Sequence, residues 1–425
     1  MTGNEWYNIP AEVSLIKTLD QLFKPDRLVT RDIERTHFKS NLISLYFVRE
    51  LSLREAALGA LLGRILTFSS AEYPNLKAIS DQEDDLYGVV VYFDLDKYRD
   101  QLVLEYKMIY PKYQLLPIEK DLTDQAIEFY HSLLTRPLLV DGLFDQEIFQ
   151  MEKDNLMEEL ASIQKDPEAY TYRQCNQAHF ASSNLGIYKY SDIATVRQIS
   201  NQELVAYYHD LFDSLVFRYR HGDFLHHSGG VGLRPASLPK LDKLMQKTHL
   251  EEERKLNQSV LVQAYQTDIE HTQPDSQAAM LFSAILGSYS NSVLFRTIRE
   301  QLGYCYSIYT KYDKYRNVMF ISVAYQESNH EALVSKIDQL VKQIQAGQID
   351  EDDFAVAKLE TIQGLKSLAD RQETMLDYEF IQDLFGKTDS IEDRVRQLEQ
   401  LTLTDITRAA GSFELMTSYH LKGTR

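Results

Sequence analysis

A cluster of glycines and prolines near the middle of the chain constrains its fold more than any other feature. Residues 221–240 include Gly229, Gly230, Gly232, Pro235 and Pro239. Such a segment breaks helices and strands, so it favours a linker. Although 425 residues at roughly 150 per domain would suggest about three domains, this is the one convincing break. We therefore predict two domains, 1–225 and 246–425, joined by a linker at 226–245.

The two halves repeat one order of elements. In the first, a strand at 42–48 precedes a helix capped by Ser52, two strand-like runs, a series of helical patterns and a final strand at 215–220. In the second, a strand at 260–265 opens the same order, about 215 residues later. Strands grouped apart from helices predict an α+β fold rather than a doubly wound parallel sheet. We expect two homologous domains related by pseudo-twofold symmetry, each a mainly antiparallel sheet packed with helices.

Composition excludes several classes of partner. Asp plus Glu is 63 and Lys plus Arg is 45, which gives a net charge of −18. This balance disfavours nucleic acid and anionic membranes, because both are bound through clustered basic residues. Two cysteines exclude a disulfide framework and a multi-cysteine metal site. With no secretory signal and no apolar run long enough to span a membrane, we expect a cytoplasmic protein.

Most catalytic and binding motifs are missing from the chain. The Gly386-Lys387-Thr388 sequence lacks the first glycine of a P-loop. Cys175 and His179 have the spacing of a thiolate pair on one helix face, but a small buried thiol is the commoner arrangement. Neither zinc-binding motif, His-Glu-x-x-His or His-x-x-Glu-His, occurs in the chain. His226 and His227 are adjacent in the linker, where a solvated segment is favoured over a metal site.

The segment 291–307 has the most specific pattern. It indicates a capped amphipathic helix that ends at Gly303, followed by a strand from Tyr304. Arg299 falls at the end of the helix and Tyr306 at the start of the strand. A guanidinium and a phenol at one junction could bind a peptide backbone. The alternative is a helix-terminal arginine beside a half-buried tyrosine.

This segment resembles the C-terminal-domain signature of the pitrilysin/insulinase-like zinc metallopeptidases, which include the mitochondrial processing peptidases. The family pattern Arg-Glu-x-x-Gly-x-x-Tyr matches Arg299, Glu300, Gly303 and Tyr306. The resemblance implies that Arg299 and Tyr306 are the pair that holds substrate opposite the zinc domain.

The resemblance extends over nearly the whole chain. The segment 149–160, followed by Asp166-Pro167, resembles the family's Glu-x6-Glu helix. Glu152 and Glu159 match its two carboxylates, and the first of these is the usual third zinc ligand in the family. Two helical turns separate them, so both lie on one helix face.

The departure from the family lies in the first helix. Active members carry His-x-x-Glu-His there, which supplies two zinc ligands and the general base. The aligned residues here are Ala60-Leu61-Leu62-Gly63-Arg64, and Arg64 would repel a divalent cation. Glu152 and Glu159 are then either a relic of the family's zinc site, without a present role, or partners of Arg64. We predict no catalytic residue and no metal ligand in this chain.

The resemblance therefore implies the catalytically inactive subunit of a heterodimeric zinc peptidase. Arg299 and Tyr306 would contribute peptide binding, while zinc would be carried by a homologous partner subunit. The chain itself would need no cofactor, and it could form a homodimer when alone. The alternative is a peptide-binding or scaffold protein with no proteolytic role.

Overall fold

A computed structural model describes residues 19–223, 241 and 244–424. The predicted linker, with His226 and His227, lies almost entirely outside the described residues. The strands are β1 Leu28–Glu34, β2 Ser40–Glu50, β3 Val90–Tyr98, β4 Gln101–Pro111, β5 Leu139–Val140, β6 Leu143–Phe144, β7 Leu215–Gly222, β8 Thr248–Lys255, β9 Ser259–Gln266, β10 Cys305–Asp313, β11 Val318–Tyr325 and β12 Glu414–Thr424.

The α-helices are distributed over the same residues. They are α1 Leu53–Phe68, α2 Leu76–Asp85, α3 Thr123–Thr135, α4 Gln146–Ile163, α5 Pro167–His179, α6 Ile193–Arg197, α7 Asn201–Leu211, α8 Ser276–Ser283, α9 His330–Gln345, α10 Glu351–Ser367, α11 Gln372–Leu384, α12 Ile391–Gln400 and α13 Leu403–Gly411. Ala284–Ser288 and Phe295–Gln301 are π-helical. Among the described residues, every helix is too short or too polar to cross a bilayer.

The two five-stranded sheets have the same connectivity. Their orders are β3-β4-β2-β7-β1 and β10-β11-β9-β12-β8. In each sheet the first strand in sequence pairs in parallel with the last, and the other pairs are antiparallel. The predicted α+β class, with two similar and mainly antiparallel sheets, is confirmed. The edge strands β1 and β8 were missing from the predicted elements.

The chain divides into two compact units that each include a segment from the other half of the sequence. Of the described residues, the first unit contains 19–161, 187–223 and 372–380, and the second contains the remainder. Helix α5, with the residues around it at 162–186, thus belongs to the second unit, and the start of helix α11 belongs to the first.

The start of helix α11 is held in the first unit by stacking and by a buried cation. The ring of Phe380 stacks on Tyr46 with centroids 3.9 Å apart, and the Tyr46 hydroxyl donates to an Asp377 carboxylate oxygen at 2.9 Å. Lys107 is 1% exposed and donates to the same carboxylate at 3.2 Å. The aromatic contact and the partnered charges explain why this helix start belongs to the first unit.

Helix α5 packs on strands β9 and β12 in the second unit. Cys175 is fully buried, and its Sγ donates to the Val262 carbonyl at 3.4 Å. Burial raises the pKa of the Cys175 thiol to about 12, so the thiol stays protonated. The prediction of a small buried thiol is confirmed. His179 is also buried, with Nδ1 3.0 Å from the Thr417 hydroxyl.

Helix α1 approaches its sheet closely through a glycine. The Ser52 side chain accepts a hydrogen bond from the Glu55 amide at 3.1 Å, which confirms the predicted cap. One turn before the end of the helix, a β-carbon added to Gly63 would lie 2.4 Å from Cδ1 of Phe93 on β3. Glycine is therefore required at position 63 for the helix to pack at this distance from the strand.

We predict that Gly63→Ala destabilises the protein by about 1–2 kcal/mol, because overpacking against an aromatic ring outweighs the better helix propensity of alanine. The matched control is Gly364→Ala in helix α10, where an added β-carbon meets nothing within 4 Å. There the same change should stabilise by about 0.5–1 kcal/mol. Urea unfolding followed by circular dichroism measures both, and equal shifts in the two variants would refute the close contact at Gly63.

We also predict an acid-sensitive contribution from His179. Burial lowers its pKa from 6.5 to about 4. Because the unfolded chain then binds the proton more readily, stability is complete above about pH 6.5 and falls as the pH drops towards 4, by at most about 3 kcal/mol. His179→Gln should flatten the unfolding free energy over this range. The exposed His249→Gln serves as the control and should retain the slope of the wild type.

Candidate functional site

In the first unit, the residues at the aligned positions of the family's zinc site form a cluster around the guanidinium group of Arg64. Arg64 projects from helix α1 toward the two glutamates of helix α4. Its Nη1 lies 3.6 Å from Oε2 of Glu152, and its Nη2 forms an ion pair with Glu159. Of the two interpretations of Glu152 and Glu159, as a relic or as partners of Arg64, these contacts favour the second.

Burial makes this cation necessary. The Glu152 side chain is 9% exposed, and its Oε1 also accepts a hydrogen bond from the side-chain amide (Nδ2) of Asn155 at 3.1 Å. A carboxylate removed from water is costly unless a positive charge and hydrogen bonds compensate it. Arg64 supplies that charge in place of a metal ion.

Packing removes the space for a general base. Gly63 stands where active relatives have the glutamate of His-x-x-Glu-His, and Phe93 lies against it. Ala60, at the position of the first histidine, is 4% exposed. Helix α1 therefore offers neither a metal ligand nor a proton acceptor at these positions, which fits a chain that does not activate water here.

The second predicted site lies at a helix-to-strand junction of the second unit. Arg299 belongs to the π-helical turn Phe295–Gln301, where the sequence predicted a regular helix. Gly303 ends this turn with a φ of +63°, and the Tyr304 amide donates to the Ile298 carbonyl at 3.0 Å. The left-handed conformation explains the glycine, because other residues adopt it at a cost.

Arg299 and Tyr306 are both exposed at this junction but have different partners. The Arg299 guanidinium lies over the Phe295 ring, 4.6 Å from its centroid. Tyr306 is 51% exposed, and its hydroxyl accepts a hydrogen bond from Gln326. The predicted residues are thus accessible polar groups on the two elements that meet at this junction, and their role in substrate binding stays a prediction.

Tyr306 also marks an irregularity in an edge strand. Among the described residues, strand β10 pairs with β11 alone, and the register shifts between Cys305 and Ser307, so Tyr306 is the extra residue of a β-bulge. Bulges redirect a side chain and are frequent beside binding sites. The outer edge of β10 leaves backbone groups that another extended chain could pair with.

Sequence reasoning missed one cluster of potential metal ligands in the second unit. Glu327, His330 and His420 each offer a ligand atom, and these atoms lie within 4.8 Å of one another. The Glu-x-x-His spacing of the first two was visible in the sequence. The third ligand was not, because strand pairing alone brings His420 to them.

Three comparisons relate the chain to known proteins. Residues 193–360 match the family described as "Peptidase M16 inactive domain". The "Probable inactive metalloprotease YmfF" of Bacillus subtilis (strain 168) is 21% identical over 415 residues, which is 93% of this chain and 96% of that protein.

Two crystal structures share the fold. A conserved protein from Enterococcus faecalis V583 superimposes with a TM-score of 0.86 at 22% identity, over 95% of this chain and 98% of that one. A peptidase M16 inactive domain from Pseudomonas fluorescens gives a TM-score of 0.76 at 14% identity, over the same shares.

The family match agrees with the signature at Arg299 to Tyr306 and with the altered helix α1. Residues 193–360 therefore match the inactive domain of the M16, or pitrilysin/insulinase-like, metallopeptidases, and the chain as a whole is similar to an inactive metalloprotease and lacks the His-x-x-Glu-His motif.

Proposed function

We propose that this chain is the non-catalytic subunit of a heterodimeric zinc peptidase. It contributes peptide-substrate binding through Arg299 and Tyr306, while a homologous partner subunit carries zinc. The observation that carries the proposal is the contrast between the two units. The first has Arg64 in place of the metal, whereas the second retains an exposed arginine and tyrosine at the signature position.

The geometry of strand β10 supports peptide binding at this position. An extended peptide adds to an exposed sheet edge through backbone hydrogen bonds. Tyr306 lies on that edge strand, and Arg299 lies at the end of the turn that leads into it. A phenol donor and a guanidinium with several donors can then bind peptide carbonyl groups beside the paired backbone.

Loss of this pair should reduce peptide hydrolysis by the assembled enzyme. We predict that Arg299→Ala and Tyr306→Phe each lower kcat/KM of the complex by about tenfold or more, the loss expected for about 1.4 kcal/mol of binding to substrate or transition state. The measurement is hydrolysis of a peptide library by the zinc-bearing homologue with and without this chain.

Matched controls come from the same strand. Tyr309 is exposed on β10, and its hydroxyl has no hydrogen bond within the part of the chain that the structure describes, while Lys311 is an exposed cation two residues further on. Tyr309→Phe and Lys311→Ala should leave kcat/KM unchanged. Unaltered turnover in the Arg299 and Tyr306 variants would refute their assignment. A partner whose activity is indifferent to this chain would favour the scaffold alternative instead.

We further predict that restoring the family motif does not restore activity. The triple change Ala60→His, Gly63→Glu and Arg64→His should give no peptide hydrolysis by the chain alone, because Phe93 blocks the side chain at position 63. The same triple change combined with Phe93→Ala tests whether the ring of Phe93 is what prevents activity. Measurable turnover in the triple variant that still contains Phe93 would contradict the packing argument.

A further inference from the structure

We propose that Glu327, His330 and His420 form a binding site for a divalent metal ion of the zinc class in the second unit. One ligand atom from each residue lies within 4.8 Å of the other two. Two imidazoles and one carboxylate are a set that holds Zn²⁺ in proteins and leaves a further coordination position for water or a ligand.

The three ligands come from ordered elements. Glu327 begins the 3-10 turn Glu327–Asn329 directly after strand β11, and His330 is the first residue of helix α9. His420 lies in strand β12, which pairs with β9 on one side and β8 on the other. Because these elements fix the backbone positions of the ligands, binding an ion requires side-chain rotation but no backbone movement.

Each of the three ligands has an outer partner that suits metal binding. His420 Nδ1 lies 3.3 Å from Oε2 of Glu251, and its Nε2 lies 3.2 Å from Oε2 of Glu327. An Nδ1–H bonded to Glu251 leaves Nε2 with its lone pair directed toward Glu327. A carboxylate behind the histidine, which fixes its tautomer, is the usual surrounding of a metal-bound imidazole.

The other two ligands are oriented in the same way. Nδ1 of His330 lies 2.6 Å from the Tyr325 hydroxyl, which leaves Nε2 as the nitrogen for the ion. The Ser259 hydroxyl donates to Oε2 of Glu327 at 2.6 Å. The two imidazole rings stack with centroids 4.2 Å apart and planes at 13°, so a rotation of one ring is required to direct both nitrogens at one ion.

Charge and exposure also favour a cation at this place. Glu251 and Glu327 provide negative charge on two sides of His420, while Lys422 pairs with Glu253 at 2.8 Å and more distantly with Glu251 at 4.0 Å. Glu327 and His330 are half-buried, so an ion can enter from solvent.

This site is independent of the proposed peptidase role and of the altered position at Arg64. It departs from the expectation that the chain carries no metal, because that expectation considered only the family motif and the linker histidines. An ion here would join strand β12 to the start of helix α9. Metal binding would then stabilise the second unit.

The test uses the untagged full chain after removal of metals with a chelator. Titration with ZnCl2 in a calorimeter should give one ion per chain, and saturating zinc should raise the midpoint of thermal unfolding. Co²⁺ in place of zinc should produce visible absorption typical of a low-coordinate nitrogen and oxygen site. His330→Ala and Glu327→Gln should weaken zinc binding by at least about tenfold.

Two controls distinguish this site from adventitious binding to histidine. His249 lies on the neighbouring strand β8 and bonds to Ser418, outside the cluster. His249→Ala, and a separate variant with His226 and His227 both changed to Ala, should bind zinc as the wild type does. Absence of stoichiometric zinc in the wild type, or equal loss of affinity in the control variants, would overturn the proposal. Since His420 is buried, the half-buried His330 and Glu327 carry the test, with circular dichroism confirming that these variants fold.

Discussion

The contact between Gly63 and Phe93 decides what the first unit can do. Helix α1 lies so close to strand β3 that a side chain at position 63 would collide with the phenyl ring. Active relatives place their general base at this position, so the packing and the catalytic residue compete for the same space. In this chain the ring of Phe93 fills that space.

The two glutamates of helix α4 are compensated by an arginine of helix α1. Glu152 is buried on helix α4, and its carboxylate needs a compensating cation. Arg64 supplies one from helix α1 and also pairs with Glu159. The guanidinium is permanently charged and presents several donors, so one side chain can serve two carboxylates. Arg64 thus links helices α1 and α4 through ion pairs with both carboxylates.

Sequence periodicity predicted the elements that are governed by local patterns. The helices and the central strands follow from apolar spacing, and the helix cap at Ser52 follows from the residue type before the first apolar helix. The contact of Arg64 with Glu152 follows from aligning helices α1 and α4 with the family pattern. Strand β8 could not be predicted in this way, because its sequence is strongly charged. Among the described residues it pairs with β12 alone, at the edge of the sheet. The π-helical turn before Gly303 also departs from the expected α-helix, since a single-residue change in hydrogen bonding leaves the apolar spacing almost unaltered.

The cluster of Glu327, His330 and His420 could not be predicted from local sequence patterns. A spacing of three residues indicates that Glu327 and His330 are neighbours, but nothing local indicates that His420 joins them. That meeting depends on the register of β12 against β9 and on the order of strands in the sheet. A shift of register by one residue would turn His420 to the opposite face. A site whose residues come from different strands and helices can therefore be recognised only when the fold is known. Two residues on one face of a single helix, such as Glu152 and Glu159, can be inferred from their spacing alone.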